Sequence, residues 1–140
     1  MLGRHDMAIN RKYEAFRPNA EKVIDTILAQ HAICILCTLP PNAGNIELGE
    51  AYNRGLREIA AERNIPLIDF EREILARRPN DWNGTLMNRN DLLPTSEQGS
   101  ANPASEPTAE NLRESGYLLL GWLSVRKLVE VGSVVSEKGR

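Results

Sequence analysis

The amino-acid sequence predicts one α/β domain, a fold class in which helices pack on a mainly parallel sheet. Segments with apolar residues at helical spacing alternate with short, continuously apolar segments, in the order helix, strand, helix, strand. The composition is that of an ordinary globular domain, because 41% of the 140 residues are hydrophobic and 26% are charged. We expect a single domain over residues 1–135 and a frayed tail over residues 136–140.

The first half of the chain supplies four of the predicted elements. An amphipathic pattern predicts a helix over residues 18–30, and the apolar run over residues 31–39 is typical of a strand that is buried on both faces. Two prolines and a glycine then end this strand. A second amphipathic pattern predicts a helix over residues 48–64, and residues 66–70 predict a second short strand.

The second half begins with a charged segment, residues 71–78, that predicts a short helix. Residues 79–107 are rich in Asn, Ser, Gly and Pro and predict a long loop. A loop of this length in a compact domain is usually functional or disordered, so we expect the site there. Thr108 can cap a final helix that continues through Leu128 and closes the fold.

Charge and hydropathy exclude several classes of function. The formal net charge is −2 and the isoelectric point is near 5.7, whereas a surface for nucleic acid needs an excess of basic residues. The chain has no apolar run of about 18 residues for a membrane span, and residues 1–7 lack the apolar core of a signal peptide. We therefore expect a cytoplasmic protein with neither a nucleic-acid nor a membrane partner, and we expect no cofactor.

The two cysteines, Cys34 and Cys37, match a C-x-x-C pattern but lie inside the first predicted strand. Side chains three positions apart on a strand face opposite sides of the sheet. A shared metal ion or an unstrained disulfide is therefore disfavoured, and we interpret both residues as small buried hydrophobic side chains. No metal site is predicted.

Several short segments follow one another in an order that resembles a known family. Gly3-Arg-His-Asp6 is similar to a G-x-N-D block, and Asn90-Asp-Leu-Leu93 is similar to a D-x-x-H block. The segments between and after these blocks that fit the same series are residues 38–41, 51–53, 65–69 and 111–117. Together they resemble the SGNH/GDSL-type ester hydrolases. This resemblance implies a flavodoxin-like, three-layer α/β/α fold that is truncated at its N-terminus, with few strands in a parallel sheet and with Met1 at the end of the third strand.

The catalytic residues of that family are replaced in this sequence. The family uses a serine nucleophile, a histidine base, an acidic residue and oxyanion donors. Its serine block and a glycine donor would lie upstream of Met1, so whether Met1 is the true start stays open. Asn90 stands where the family has aspartate, and Leu93, which cannot accept a proton, stands where it has histidine. In a register slipped by one residue, Asp91 could still offer a carboxylate.

His5 replaces the family's asparagine, either as an oxyanion donor or as a solvated loop residue. We assign no catalytic residue. The changed family positions, which we take as candidate site residues, are Gly3, His5, Asp6, Asn90, Asp91 and Leu93.

Two functions remain as hypotheses. The chain is a relative of enzymes that cleave acyl or acetyl esters of a small molecule or carbohydrate, or it is a non-catalytic binding module that keeps one part of the fold. A parallel sheet with few strands leaves an uncovered edge, which favours association. We therefore expect a homo-oligomer or a complementing chain as partner.

Overall fold

A computed structural model of the protein describes residues 1–41, 44–80, 82 and 106–138. These residues form six helices and two strands. Their bounds are α1 Arg4–Ala8, α2 Tyr13–Ala29, β1 Leu36–Cys37, α3 Ile46–Glu62, β2 Leu67–Ile68, α4 Phe70–Arg77, α5 Ala109–Glu114 and α6 Gly116–Lys138. The alternation of helix and strand and the α/β class are confirmed.

The two strands pair in parallel, with Leu36 opposite Leu67 and Cys37 opposite Ile68. The N–H of Leu36 donates to the carbonyl of Pro66 at 2.9 Å, and the N–H of Thr38 donates to the carbonyl of Ile68 at 3.0 Å. Successive residues of a strand direct their backbone groups to opposite edges, so Cys37 points its N–H and C=O away from β2. Among the described residues, no strand pairs with the side of β1 opposite β2, and we call this side the free edge of β1.

Both strands are shorter than the sequence predicts, since the first was expected over residues 31–39. His31 has a φ of +56° and closes α2, and the N–H of Ala32 donates back to the carbonyl of Ile27 at 3.4 Å. The first residues of the apolar run therefore belong to the end of a helix. The second strand begins only after Pro66, because proline has no N–H for the ladder.

Helices cover both faces of the sheet. One face, with α2 and α3, holds a cluster of buried residues: Met7, Tyr13, Phe16, Ala20, Ile24, Cys34, Leu36, Leu39, Tyr52, Leu56, Ile59 and Ala60. The other face, with α4, α5 and α6, holds a second cluster: Ile68, Phe70, Leu112 and Leu119. Cys34 belongs to the first cluster and Cys37 packs against the second, which confirms that the two thiols face opposite sides.

Helix α2 begins at Tyr13, five residues before the predicted start at Pro18. Pro18 lies inside the helix, where proline is unfavourable because it lacks an N–H. The ring centroid of Tyr52 lies 5.5 Å from that of Tyr13 and 4.9 Å from that of Phe16. This aromatic packing, between residues far apart in sequence, extends the helix across the proline.

Residues 1–8 differ from the sequence expectation. Met1 and Leu2, expected at the end of a third strand, do not pair with β1 or β2, and a short helix, α1, follows directly at Arg4. Leu2 packs against the cluster of buried residues on the face with α2 and α3.

The final helix is divided in two. Thr108 caps α5 as predicted, because its Oγ1 accepts from the N–H of Asn111 at 3.2 Å. Ser115 then adopts an extended conformation, with φ −122° and ψ 110°, and its Oγ accepts from the N–H of Leu118 at 3.2 Å to begin α6. Helix α6 continues to Lys138, three residues into the expected tail. Within the described ranges, no helix is both long and apolar enough to cross a lipid bilayer.

Candidate functional site at the carboxyl edge of the sheet

Open α/β sheets bind ligands beyond the carboxyl ends of their strands, so the residues that follow β1 and β2 are the first candidates for a site. We call this region the carboxyl edge. Thr38 follows β1 and is fully buried. Its Oγ1 accepts from the N–H of Glu71 at 3.0 Å and donates to Oδ1 of Asp69 at 3.4 Å. One hydroxyl thus connects the ends of the two strands.

Asp69 follows β2 and begins α4. Its Oδ1 accepts from the N–H of Arg72 at 3.3 Å, which caps the helix. Arg57, on α3, binds both carboxylate oxygens of Asp69 with its Nε and Nη2 at 2.9 and 2.7 Å. Nη2 also donates to Oε2 of Glu71 at 2.8 Å. A fork of this kind fixes the geometry of both partners, so Arg57 joins α3 to the start of α4.

The charges of this network compensate one another. Burial raises the pKa of Asp69, whereas the hydrogen bonds with Arg57 and the positive charge of Arg57 lower it. The lowering is larger than the raising, so the pKa of Asp69 lies below its ordinary value. The pKa of Arg57 is raised by its hydrogen bond to Asp69, against the effect of burial. Because Arg57 already lies between two carboxylates, its charge is compensated within the fold, and Asp69 acts as a structural anchor.

Asn53, on α3, lies beside Leu39, two residues after the end of β1. Its Oδ1 accepts from the N–H of Leu39 at 2.7 Å and its Nδ2 donates to the carbonyl of Leu39 at 2.9 Å. Asn53 is fully buried. The side-chain amide therefore satisfies both backbone groups that a neighbouring strand would otherwise bind.

The structure describes the contacts of Gly3 and Asp6, two of the predicted site residues. Gly3 has a φ of +87°, and a Cβ there would lie 3.0 Å from Phe16 and 3.2 Å from Tyr52. A positive φ and this close approach both favour glycine. Oδ1 of Asp6 pairs with Nη1 of Arg11 at 2.7 Å.

Of the remaining candidates, the structure describes only His5. His5 is exposed, and its side chain makes no hydrogen bond to any residue in the described ranges. Asn90, Asp91 and Leu93 lie outside the described residues, as does most of the loop in which the site was expected. In the part of the chain that is described, no serine hydroxyl bonds to a histidine, and no group of three or more His, Cys, Asp or Glu could hold a metal ion.

The two thiols are not activated. Burial raises the pKa of Cys37 to about 11, against a smaller lowering by the amino group of Met1. Burial also raises the pKa of Cys34. A thiol is nucleophilic as the thiolate, so neither residue is suited to attack a substrate at neutral pH.

Sequence reasoning did not assign roles to Asn53 and Arg57, which do most to organise the carboxyl edge. One signal was present: Asn53 is a polar residue beside the buried stripe of α3 that includes Tyr52, Leu56 and Ile59. A polar side chain at a buried helical position must find a partner, but the pattern does not say which one.

A comparison with protein-family models, with curated proteins and with solved structures finds no match to this chain. Any function must therefore be argued from the residues themselves and from their geometry.

Proposed function

We propose that this chain corresponds to the carboxyl-terminal part of a flavodoxin-like SGNH/GDSL-type hydrolase fold, and that it does not hydrolyse esters by itself. The observation that supports the lack of activity is the state of the carboxyl edge, where the described polar groups hold one another. The hydroxyl of Thr38 binds the carboxylate of Asp69 and the backbone N–H of Glu71, and Arg57 binds the carboxylates of both residues. None of these groups is left to activate a nucleophile.

The arrangement of the described elements supports the proposed relationship to that fold. Two parallel strands are joined through a helix, α3, and helices lie on both faces of the sheet.

The chemistry of ester hydrolysis supports the same conclusion. A serine attacks an ester only when a base takes its proton and when donors stabilise the oxyanion. Leucine at position 93 cannot serve as that base. An exposed His5 could donate a hydrogen bond, but a donor acts only on an oxyanion that a nucleophile and a base have first produced.

The alternative from another class is a binding module that assembles with a second chain. The free edge of β1 favours it, because a strand with unpaired backbone groups on one side can add a further strand. Under this alternative the ester of a small molecule or carbohydrate is at most a ligand.

Hydrolysis of a chromogenic acetyl ester tests the lack of activity. We expect purified protein to release no more product than the same amount of protein that has been unfolded and diluted into the assay. The matched control is the double variant Asn90→Asp/Leu93→His, which restores the aspartate and the histidine of the family's D-x-x-H block. The proposal is refuted if the unaltered chain hydrolyses the ester, an organophosphate abolishes this hydrolysis, and mass spectrometry finds the label on a serine.

A cross-linking experiment tests the proposed fold separately. In an SGNH-type fold, position 93 lies at the carboxyl edge near position 5, whereas His31 precedes β1 and lies at the opposite end of the sheet. In a Cys34→Ala/Cys37→Ala background, a short bismaleimide should join the cysteines of His5→Cys/Leu93→Cys within one chain. The pair His31→Cys/Leu93→Cys is the control and should not be joined. The reverse result would remove the structural basis for the relationship.

A further inference from the structure

A cleft of about 790 Å³ lies between β2, α4 and α6. Apolar side chains of β2 and α6 line it, among them Ile68 and Leu123, together with six charged side chains. Ile68 belongs to the buried cluster on this face of the sheet, and Leu123 packs against that cluster. Cavities of this size that combine an apolar lining with a few polar groups are typical of sites for small molecules. The charges of the cleft therefore decide which class of molecule fits it.

The three carboxylates that line the cleft each have a cation partner. The pairs are Asp69 with Arg57, Glu73 with Arg77 and Glu130 with Lys127. Among the residues that the structure describes, no carboxylate pairs with the other two charges of the cleft, the guanidinium groups of Arg72 and Arg126. Counted with these partners and with Glu71, which shares Arg57, the cleft has five cations and four carboxylates, although the net charge of the chain is −2.

Arg126 is held in place by an aromatic ring rather than by a carboxylate. Its guanidinium lies 4.6 Å from the centre of the Trp122 ring, and a contact of this kind uses none of the N–H donors. Glu130, four residues further along α6, is the usual partner for an arginine on a helix, but it pairs with Lys127 at 2.7 Å. Arg126 is therefore positioned beside the cleft with its hydrogen-bond donors available.

We propose that the cleft binds a small organic anion, an apolar molecule that carries one carboxylate group. The carboxylate accepts from the N–H groups of Arg72 and Arg126, because a guanidinium presents its donors in a geometry that matches the two oxygens of a carboxylate. The apolar body of the molecule covers Ile68 and Leu123. Such a ligand supplies the negative charge that the cleft lacks and removes apolar surface from water.

The exposure of the two arginines limits the strength of binding. Both side chains are exposed, so water and salt screen their charges. An exposed ion pair contributes up to about fivefold in affinity. For octanoate, an anion of about ten non-hydrogen atoms, we expect a dissociation constant on the order of 1 mM.

A fluorescence titration with octanoate tests the proposal. Trp82→Phe leaves Trp122 as the one tryptophan of the chain, and a ligand that binds Arg126 changes the surroundings of its ring. Octanamide has the same apolar body without the charge, and acetate has the charge without the body. We expect octanoate to bind about fivefold more tightly than octanamide, and acetate to bind more weakly than either. Added sodium chloride should weaken the binding of octanoate but not that of octanamide.

Three variants of the full chain locate the anion, with affinity measured by isothermal titration calorimetry because Arg126 contacts the reporter ring. Arg72→Gln and Arg126→Gln should each weaken octanoate binding by up to about fivefold. Arg54→Gln is the matched control, because it removes the same charge from an exposed position of α3 outside the cleft. Circular dichroism should show the same helix content in all three. The proposal is overturned if octanoate binds no more tightly than octanamide, if it does not bind at about ten times the expected dissociation constant, or if Arg54→Gln weakens binding as much as the cleft variants do.

Discussion

The contact between Gly55 and Tyr13 provides a sharp test of how α2 and α3 pack. A Cβ placed on Gly55 would overlap the Cζ, the Cε1 and the hydroxyl of the Tyr13 ring. That ring is 9% exposed and lies 6.0 Å from Phe16 and 5.5 Å from Tyr52, measured between centroids. The variant Gly55→Ala must therefore move the ring or separate the two helices.

The magnitude follows from two opposing effects. Overpacking a core costs up to about 3 kcal/mol, and we take this upper value because two ring atoms and the hydroxyl oxygen are overlapped. Alanine is better than glycine in a helix by about 1 kcal/mol. We expect Gly55→Ala to lower the free energy of unfolding by about 2 kcal/mol, measured by urea denaturation with circular dichroism.

Two further variants separate packing from helix propensity. Gly121→Ala makes the same change in α6, where a Cβ meets nothing within 4 Å, and should raise the free energy of unfolding by about 1 kcal/mol. In a Tyr13→Leu background the overlap is gone, so Gly55→Ala should now stabilise the protein. A destabilising effect of similar size with and without the tyrosine ring would refute the reasoning, since the two residues would then not be coupled.

Two other predictions concern the carboxyl edge. Asn53→Ala leaves both backbone groups of Leu39 buried without a partner, so the free energy of unfolding should fall by about 3 kcal/mol, whereas the exposed neighbour Arg54→Ala should change it little. The pKa of Asp69 is lowered in the folded protein, so its contribution is present above the unfolded pKa and is lost as the pH falls through the folded pKa. Arg57→Met removes that contribution. Urea denaturation between neutral and acidic pH should therefore show a smaller loss of stability on acidification for this variant, and an unchanged pH dependence would contradict the assignment.

The sequence predicts the parts of the fold that depend on local patterns. Apolar periodicity predicts α3 and a charged segment predicts α4, each to within two residues of the observed bounds, and Thr108 caps the helix that follows it. The opposite placement of Cys34 and Cys37 follows from strand geometry alone. Such features need only neighbours in sequence.

The parts that could not be predicted depend on contacts between distant residues. Helix α2 begins early because Tyr13 packs on Tyr52, and no pattern near Pro18 contains that information. Ser115 interrupts the final helix although the apolar spacing runs through it. The role of Asn53 likewise depends on the chain bringing β1 and α3 together.

The amide of Asn53 also limits how the sheet could grow. Because it uses both backbone groups of Leu39, a strand added at that side has no hydrogen bonds to gain beyond Cys37. An incoming strand must therefore align with the segment before Leu39 and end there. A strand displaced toward the prolines would lose its backbone hydrogen bonds. A single side chain thus selects one alignment out of several for any polypeptide that extends this sheet.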